Sequence, residues 1–361
     1  MMIRTGEAMS TTKTVRILSL DGGGMRGYLS ALFMERFLTQ AGISQAEVWK
    51  NFDIIAGTSI GGIQACGYAN GLSPADLKTF FITKGQWIFT IRTASDVATG
   101  SINSSKASNR PNTSQKIAML ATSDPFYKAV EPASNYGDSR MKAELATVFG
   151  TKIMADLKTN VLIPSYNKDT NTPILWSNCM IPGYLGQTEL VKNVALSTGA
   201  APTYLPPANW DDVNYIDGGV AQNNPASLAL SLGQMLYPSA MRYAVLSVGT
   251  GLGDIGFHEP ESSKLGAFDG IKDLFSLIGI GIAAPQEIVS KVLEYQSTLT
   301  NQNISYYRFQ VILDSMQDNE FDRSDSSFFP YLESLMNAQY DLDLVKISQF
   351  INMMTPAVCN G

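Results

Sequence analysis

Phe52-Asp53-Ile54-Ile55-Ala56-Gly57-Thr58-Ser59-Ile60-Gly61-Gly62 is the stretch on which the reading of this chain turns. Phe52 to Ala56 predicts a buried strand and Ile60 to Asn70 a helix, with a G-x-S-x-G pentapeptide between them. Strand, sharp turn and helix is the setting of a nucleophile elbow, which holds a serine hydroxyl clear of the backbone at the tip of the turn. Gly57 and Gly61 suit it because a side chain at either would collide across so tight a turn. The pentapeptide alone also admits a plainer reading of Ser59 as a small residue in a glycine-rich turn.

Upstream, Val15-Arg16-Ile17-Leu18-Ser19-Leu20 predicts another strand, followed by Asp21-Gly22-Gly23-Gly24-Met25-Arg26-Gly27 and a helix from Tyr28. Three adjacent glycines leave backbone N–H groups open, and a helix start adds partial positive charge there. Gly22, Gly23 and Gly24, with the Ile60 N–H, are therefore candidates for holding an oxyanion formed at Ser59. Gly22, Gly24 and Gly27 also fit a dinucleotide fingerprint, which needs an acid about 20 residues on at the end of a second strand. The nearest candidate, Glu47, lies in the polar stretch Ser44–Glu47 and ends no strand. No Gly-Lys-Ser/Thr follows either, so a P-loop is excluded. Downstream, Tyr215-Ile216-Asp217-Gly218-Gly219-Val220-Ala221-Gln222-Asn223-Asn224-Pro225 sets an acid at the end of a short apolar run, before glycines and a helix start. Taken alone, Asp217 reads as a turn residue capping its own backbone.

In this order, Asp-Gly-Gly-Gly-x-Arg-Gly, Gly-x-Ser-x-Gly and Asp-Gly-Gly…Asn-Asn-Pro resemble the signature of the patatin-like phospholipases. Ala200-Ala201-Pro202-Thr203-Tyr204-Leu205-Pro206-Pro207 is similar to the segment that family carries shortly before its aspartate, and Phe149–Tyr166 to its central region. The resemblance spans residues 15–255, with 256–361 as a C-terminal extension packed on that core. It implies an α/β, three-layer fold with a mainly parallel central sheet flanked by helices. It also implies a Ser59–Asp217 dyad, an acyl-enzyme, phospholipid or lysophospholipid substrates, and no metal or other cofactor. Arg26 is then either a clamp on its loop or a substrate-binding contact to a phosphate headgroup, with a structural ion pair as its plainer role. A carboxylate is a weak base in water, with a pKa of about 3.9, and becomes a better one when desolvated in an apolar groove.

A different triad remains open, since Ser59, Asp217 and His258, the sole histidine, follow the chain order of α/β-hydrolases. A catalytically silent lipid-binding protein is the alternative of another class. A histidine-bearing acyltransferase elbow is disfavoured because Thr58 precedes the serine.

Bulk properties agree with an ordinary globular protein. The 361 residues are 45% hydrophobic and 16% charged, enough for a sizeable core, and the net charge of −6 disfavours a nucleic-acid partner. Cys66, Cys179 and Cys359 are odd in number and lack metal-ligand spacing, which fits free thiols in a reducing compartment, with Cys66 a core residue. The polar stretch 1–14 has no signal-peptide core, and no run reaches the roughly 18 apolar residues of a membrane span. The expected location is cytoplasmic, peripheral at membranes during activity. The resemblance extends to stand-alone bacterial relatives that are switched on by a small molecule or partner protein, some of them secreted effectors. The Ser/Asn/Thr-rich stretch 94–115 and the apolar stretch 274–284 are the expected cover of the groove.

Apolar runs at 15–20, 52–56, 161–165, 174–176, 213–216 and 243–248 alternate with helical patterns at 28–40, 60–70, 73–84, 139–149, 188–198 and 224–236. That alternation predicts a sheet with helices on both faces. An aromatic strand at 304–313 and a long helical region at 329–353 complete the expectation.

Overall fold

Alternating side chains along β1 (Thr14–Leu20) and β2 (Ile54–Gly57) point into two separate cores. Leu18, Leu20 and Ile55 enter one, and Val15, Ile17, Ile54 and Ala56 the other. A strand buried on both faces belongs in the middle of a three-layer α/β fold. The computed structural model describes residues 13–88, 138–202, 204–253, 284–299, 303–314 and 321–354. His258, Cys359, the stretch 94–115 and all of 274–284 except Ala284 lie outside the described residues.

The remaining elements, in chain order, are α1 (Gly27–Gln40), α2 (Ile60–Asn70), α3 (Pro74–Ile88), α4 (Ser139–Phe149), β3 (Asn160–Asn167), β4 (Thr172–Ser177), α5 (Val191–Gly199), β5 (Ala208–Trp210), β6 (Val213–Asp217), α6 (Ala226–Leu236), β7 (Arg242–Val248), α7 (284–298), β8 (Ile304–Phe309), α8 (Phe328–Leu342) and α9 (Leu344–Met354). The eight-stranded sheet runs β5-β6-β3-β2-β1-β7-β8, with β4 also on β3. The stretch from β3 to β8 is parallel, and β4, β5 and β6 form an antiparallel margin. On one face α1, α2, α5 and α8 bury Leu29, Phe33, Ile63, Val194 and Leu332, while α6 and α7 bury Leu230 and Leu293 on the other. Phe33 stacks on Phe309 of β8 with ring centroids 4.2 Å apart. Each such buried side chain contributes about 1.5–3 kcal/mol.

The register around β3 builds the site. β2 runs parallel to β3, with Ala56 opposite Leu162, and β6 runs antiparallel to it, with Asp217 opposite Ser165. β4 covers β3 from Leu162 to Asn167 on its other edge. A strand has two edges, so β2 and β6 share one and meet end to end beside Ile163 and Pro164. Proline has no N–H to pair and fits a gap in the ladder. The turn after β2 and the end of β6 are thereby brought face to face.

Several local expectations shift. Ser73 and Asp76 cap α3 reciprocally: Ser73 N–H donates to Asp76 Oδ2 (2.8 Å) and Asp76 N–H to Ser73 Oγ (3.2 Å). The aromatic strand ends at Phe309. Gln310 then turns its Oε1 to the Gly251 N–H (2.7 Å), and Ile312–Leu313 pair with Leu252–Gly253 instead. The long C-terminal helical region breaks at Asp343, whose carbonyl accepts the Ile347 N–H and whose carboxylate takes Gln339 and Lys346. β5 and α7 carry no clear periodicity and were not expected.

Candidate active site

Ser59 sits between β2 and α2 with φ 57° and ψ −127°. Such backbone costs about 1–3 kcal/mol for a residue with a side chain and persists only where its surroundings over-determine it. Here they do. Thr58 N–H donates to Leu20 O (3.1 Å), Thr58 Oγ1 to Gln222 O (2.7 Å), and Ser59 N–H to Thr198 Oγ1 (2.9 Å). A Cβ on Gly57 would stand 2.0 Å from the Gly61 carbonyl oxygen, and one on Gly61 2.3 Å from that of Leu20. The two glycines are required for the steric reason the pentapeptide suggests.

Asp217 closes β6 and meets the serine directly. Ser59 Oγ donates to Asp217 Oδ2 at 2.6 Å, and Gly219 N–H donates to Oδ1, also at 2.6 Å. Both readings of Asp217 therefore hold at once: one oxygen caps its own turn and the other takes the serine hydroxyl. The direct contact leaves no space for an imidazole between them. Asp217 is 4% exposed, and burial pushes its carboxyl up to about 7 against the opposing pull of the two hydrogen bonds. Ser59 itself is only partly buried.

The glycine loop lies against the serine: a Cβ on Gly22 would stand 2.9 Å from Ser59 Cβ. Gly22 departs from the expected oxyanion set, because its N–H donates to Asn223 O at 3.3 Å. Met25 N–H goes to Phe321 O (2.7 Å) and Arg26 N–H to Gly23 O (3.2 Å). Among the described residues the Gly23 and Gly24 amides have no acceptor. Ile60 opens α2, where amides have no intrahelical partner. Arg26 is 4% exposed; its guanidinium donates to Gly23 O (3.3 Å) and Gly251 O (3.4 Å) and lies 4.8 Å from the Phe321 ring centre. Burial pushes it down to about 10. The guanidinium is thus enclosed against the glycine loop and Gly251, with little of it exposed for a headgroup.

Residues to which the sequence alone gave no role complete the frame. Asp21 is buried in an ion pair with Arg308 of β8 (2.6 Å), tying the start of the glycine loop to the far side of the sheet. Thr250 Oγ1 donates to Gly22 O (2.7 Å), and Asn223 Nδ2 to Gln286 Oε1 of α7 (2.6 Å). Thr198 joins the two halves of the site. Its hydroxyl donates to Pro164 O (2.6 Å), which turns a lone pair toward the Ser59 N–H, and its carbonyl accepts the Gly218 N–H. No local pattern marks it, since its partners are far away in sequence. Thr198→Val is expected to cost about 1–3 kcal/mol of stability by orphaning two buried groups and to lower kcat about 10-fold or more by loosening the elbow. Thr198→Ser should restore both; denaturant unfolding and ester-hydrolysis kinetics on the two variants check this.

Cys66 and Cys179 are both buried, and burial pushes the Cys66 thiol up to about 12, as befits a core residue. Glu47 is a surface residue paired with Lys50, so the dinucleotide fingerprint lacks its acid. Among the described residues no group of three or more His, Cys, Asp or Glu could hold a metal ion, and no helix is long and apolar enough to cross a membrane.

The family model for patatin-like phospholipases matches residues 18–230, and the chain belongs to that family. It is 33% identical over 224 residues to the cGAMP-activated phospholipase of Escherichia coli, covering 60% of this chain and 55% of that protein. It is 30% identical over 235 residues to Patatin-like protein 2 of Arabidopsis thaliana, covering 60% and 52%. The chain thus spans about half the length of these curated relatives. Among solved structures, VipD from Legionella pneumophila aligns with a TM-score of 0.46 at 13% identity, covering 96% of this chain and 68% of that one.

Proposed function

We propose that this member of the patatin-like phospholipase family is a serine lipid acyl hydrolase, cleaving fatty-acyl esters of phospholipids or lysophospholipids through Ser59 and Asp217. The observation that carries the reading is the 2.6 Å contact between Ser59 Oγ and the buried Asp217 carboxylate. A serine hydroxyl is a weak nucleophile until a base takes its proton. Ser59 Oγ attacks the ester carbonyl while its proton passes to Asp217 Oδ2. The Gly23, Gly24 and Ile60 amides receive the oxyanion. Collapse breaks the ester C–O bond, and the leaving alcohol or lysolipid takes the proton back from Asp217. Water then attacks the acyl-enzyme, gives a proton to Asp217 and frees the fatty acid, and the proton returns to Ser59. This chemistry needs no metal or cofactor. Arg26 acts on the loop and not on the lipid.

The E. coli and Vibrio cholerae relatives are named cGAMP-activated phospholipases. We extend the proposal to a cytoplasmic enzyme that works at membrane surfaces under the control of an activating small molecule or protein. The test is labelling of Ser59 by a fluorophosphonate together with fatty-acid release from phospholipid vesicles, with and without a cyclic dinucleotide and cell extract. A chain that neither labels nor releases fatty acid under any of these conditions is a binding protein. Release that no addition increases would remove the activator from the proposal. His258→Ala is expected to keep kcat within about two-fold of wild type; a fall of about 100-fold or more would favour the Ser–Asp–His triad.

A further inference from the structure

The glycine loop is held from outside the family-matched region 18–230. Gly24 has φ +57°, and a Cβ there would stand 2.1 Å from the Phe321 carbonyl oxygen, so the two backbones touch. That carbonyl accepts the Met25 N–H at 2.7 Å. The Phe321 ring lies under the Arg26 guanidinium (4.8 Å) and meets Tyr204 edge-on, with centroids 5.7 Å apart. Behind it the segment is anchored to α8. Arg323 pairs with Asp325 (2.8 Å) and stacks on the fully buried Phe328, while Asp325 accepts the Ser327 N–H. A short strap thus runs from the start of α8 to the one loop whose Gly23 and Gly24 amides stay without an acceptor among the described residues.

We infer that Phe321 is a positioning residue for the oxyanion loop: its ring, gripped by Arg26 and Tyr204, seats its carbonyl on Met25 and keeps the Gly23 and Gly24 amides aimed outward. This rests on the Ser59–Asp217 reading above. Catalysis by fixed donors tolerates little displacement, so slackening the strap acts on turnover more than on binding.

The experiment uses the full chain and a short-chain aryl ester, with Phe321→Ala, Phe321→Tyr and Ser59→Ala compared with wild type. In Phe321→Ala, kcat and the fluorophosphonate inactivation rate should both fall about 10- to 100-fold, with KM within about two-fold and the acid limb of the pH profile unmoved. Phe321→Tyr, which keeps the ring, should restore both rates. Should Phe321→Ala not fold, Phe321→Leu keeps an apolar anchor without the π face and is expected to show the same fall in kcat at an unchanged melting temperature. Undiminished turnover in the folded Ala or Leu variant, or equal losses in the Ala and Tyr variants, would overturn the strap while Ser59→Ala stays silent. Hydrolysis persisting in Ser59→Ala would instead sink the reading beneath it.

Discussion

Ser59→Ala is expected to lower ester hydrolysis by about 10⁴-fold or more and to leave the protein folded. The loss is large because the position of the nucleophile is set by an elbow whose glycines and hydrogen bonds serve that one side chain. Residual catalysis would come from the remaining amide donors acting on bound ester with water as nucleophile. Stability should change little. Alanine keeps the same backbone strain at φ 57°, and its loss is the single hydrogen bond to Asp217. Ser59→Gly relieves that strain and is expected to be the more stable of the two inactive variants, by about 1 kcal/mol or more. Fatty-acid release from vesicles and thermal unfolding measure both effects. Activity in Ser59→Ala comparable to wild type would mean that another residue is the nucleophile.

Asp217→Asn is expected to cost about 10²- to 10⁴-fold in kcat, the range of a lost general base. In wild type the base form is the carboxylate, so activity should rise with pH through about 7, where burial has pushed the Asp217 carboxyl. The same shift acts on stability with the opposite sign. A carboxyl raised from 3.8 in the unfolded chain to about 7 in the folded one binds its proton more tightly when folded. Wild type therefore loses stability as pH climbs from about 4 to 7, and the full penalty is present above that window. Asparagine carries no such penalty. Asp217→Asn should gain about 2–4 kcal/mol over wild type at pH 8, shrinking toward zero by pH 4. A variant that is both inactive and more stable at high pH is what a base held at a desolvation cost predicts. An inactive variant less stable at every pH would mean that Asp217 is chiefly structural.

Much of the site was legible in the chain, and the boundary is a physical one. Tight turns and helix starts are encoded in the residues that form them. Gly57 and Gly61 betrayed the elbow because bulk is forbidden there, and the helical pattern at 28–40 betrayed α1 because burial repeats with the helix. The alternation of strand and helix patterns was enough for a three-layer α/β fold. What required folding is everything that depends on a partner far along the chain. Ser59 and Asp217 are 158 residues apart, and their contact exists because β2 and β6 end against each other on one edge of β3. Gly22 looked equal to Gly23 and Gly24 until Asn223 took its amide. Arg26 left a headgroup contact, a loop clamp and a plain ion pair all open until folding set it between Gly251 and Phe321. Thr198, Arg308 and Phe321 carry no local mark at all. A backbone conformation is a property of a few neighbouring residues, but a hydrogen-bond partner and a degree of desolvation are supplied by whichever distant segments pack there.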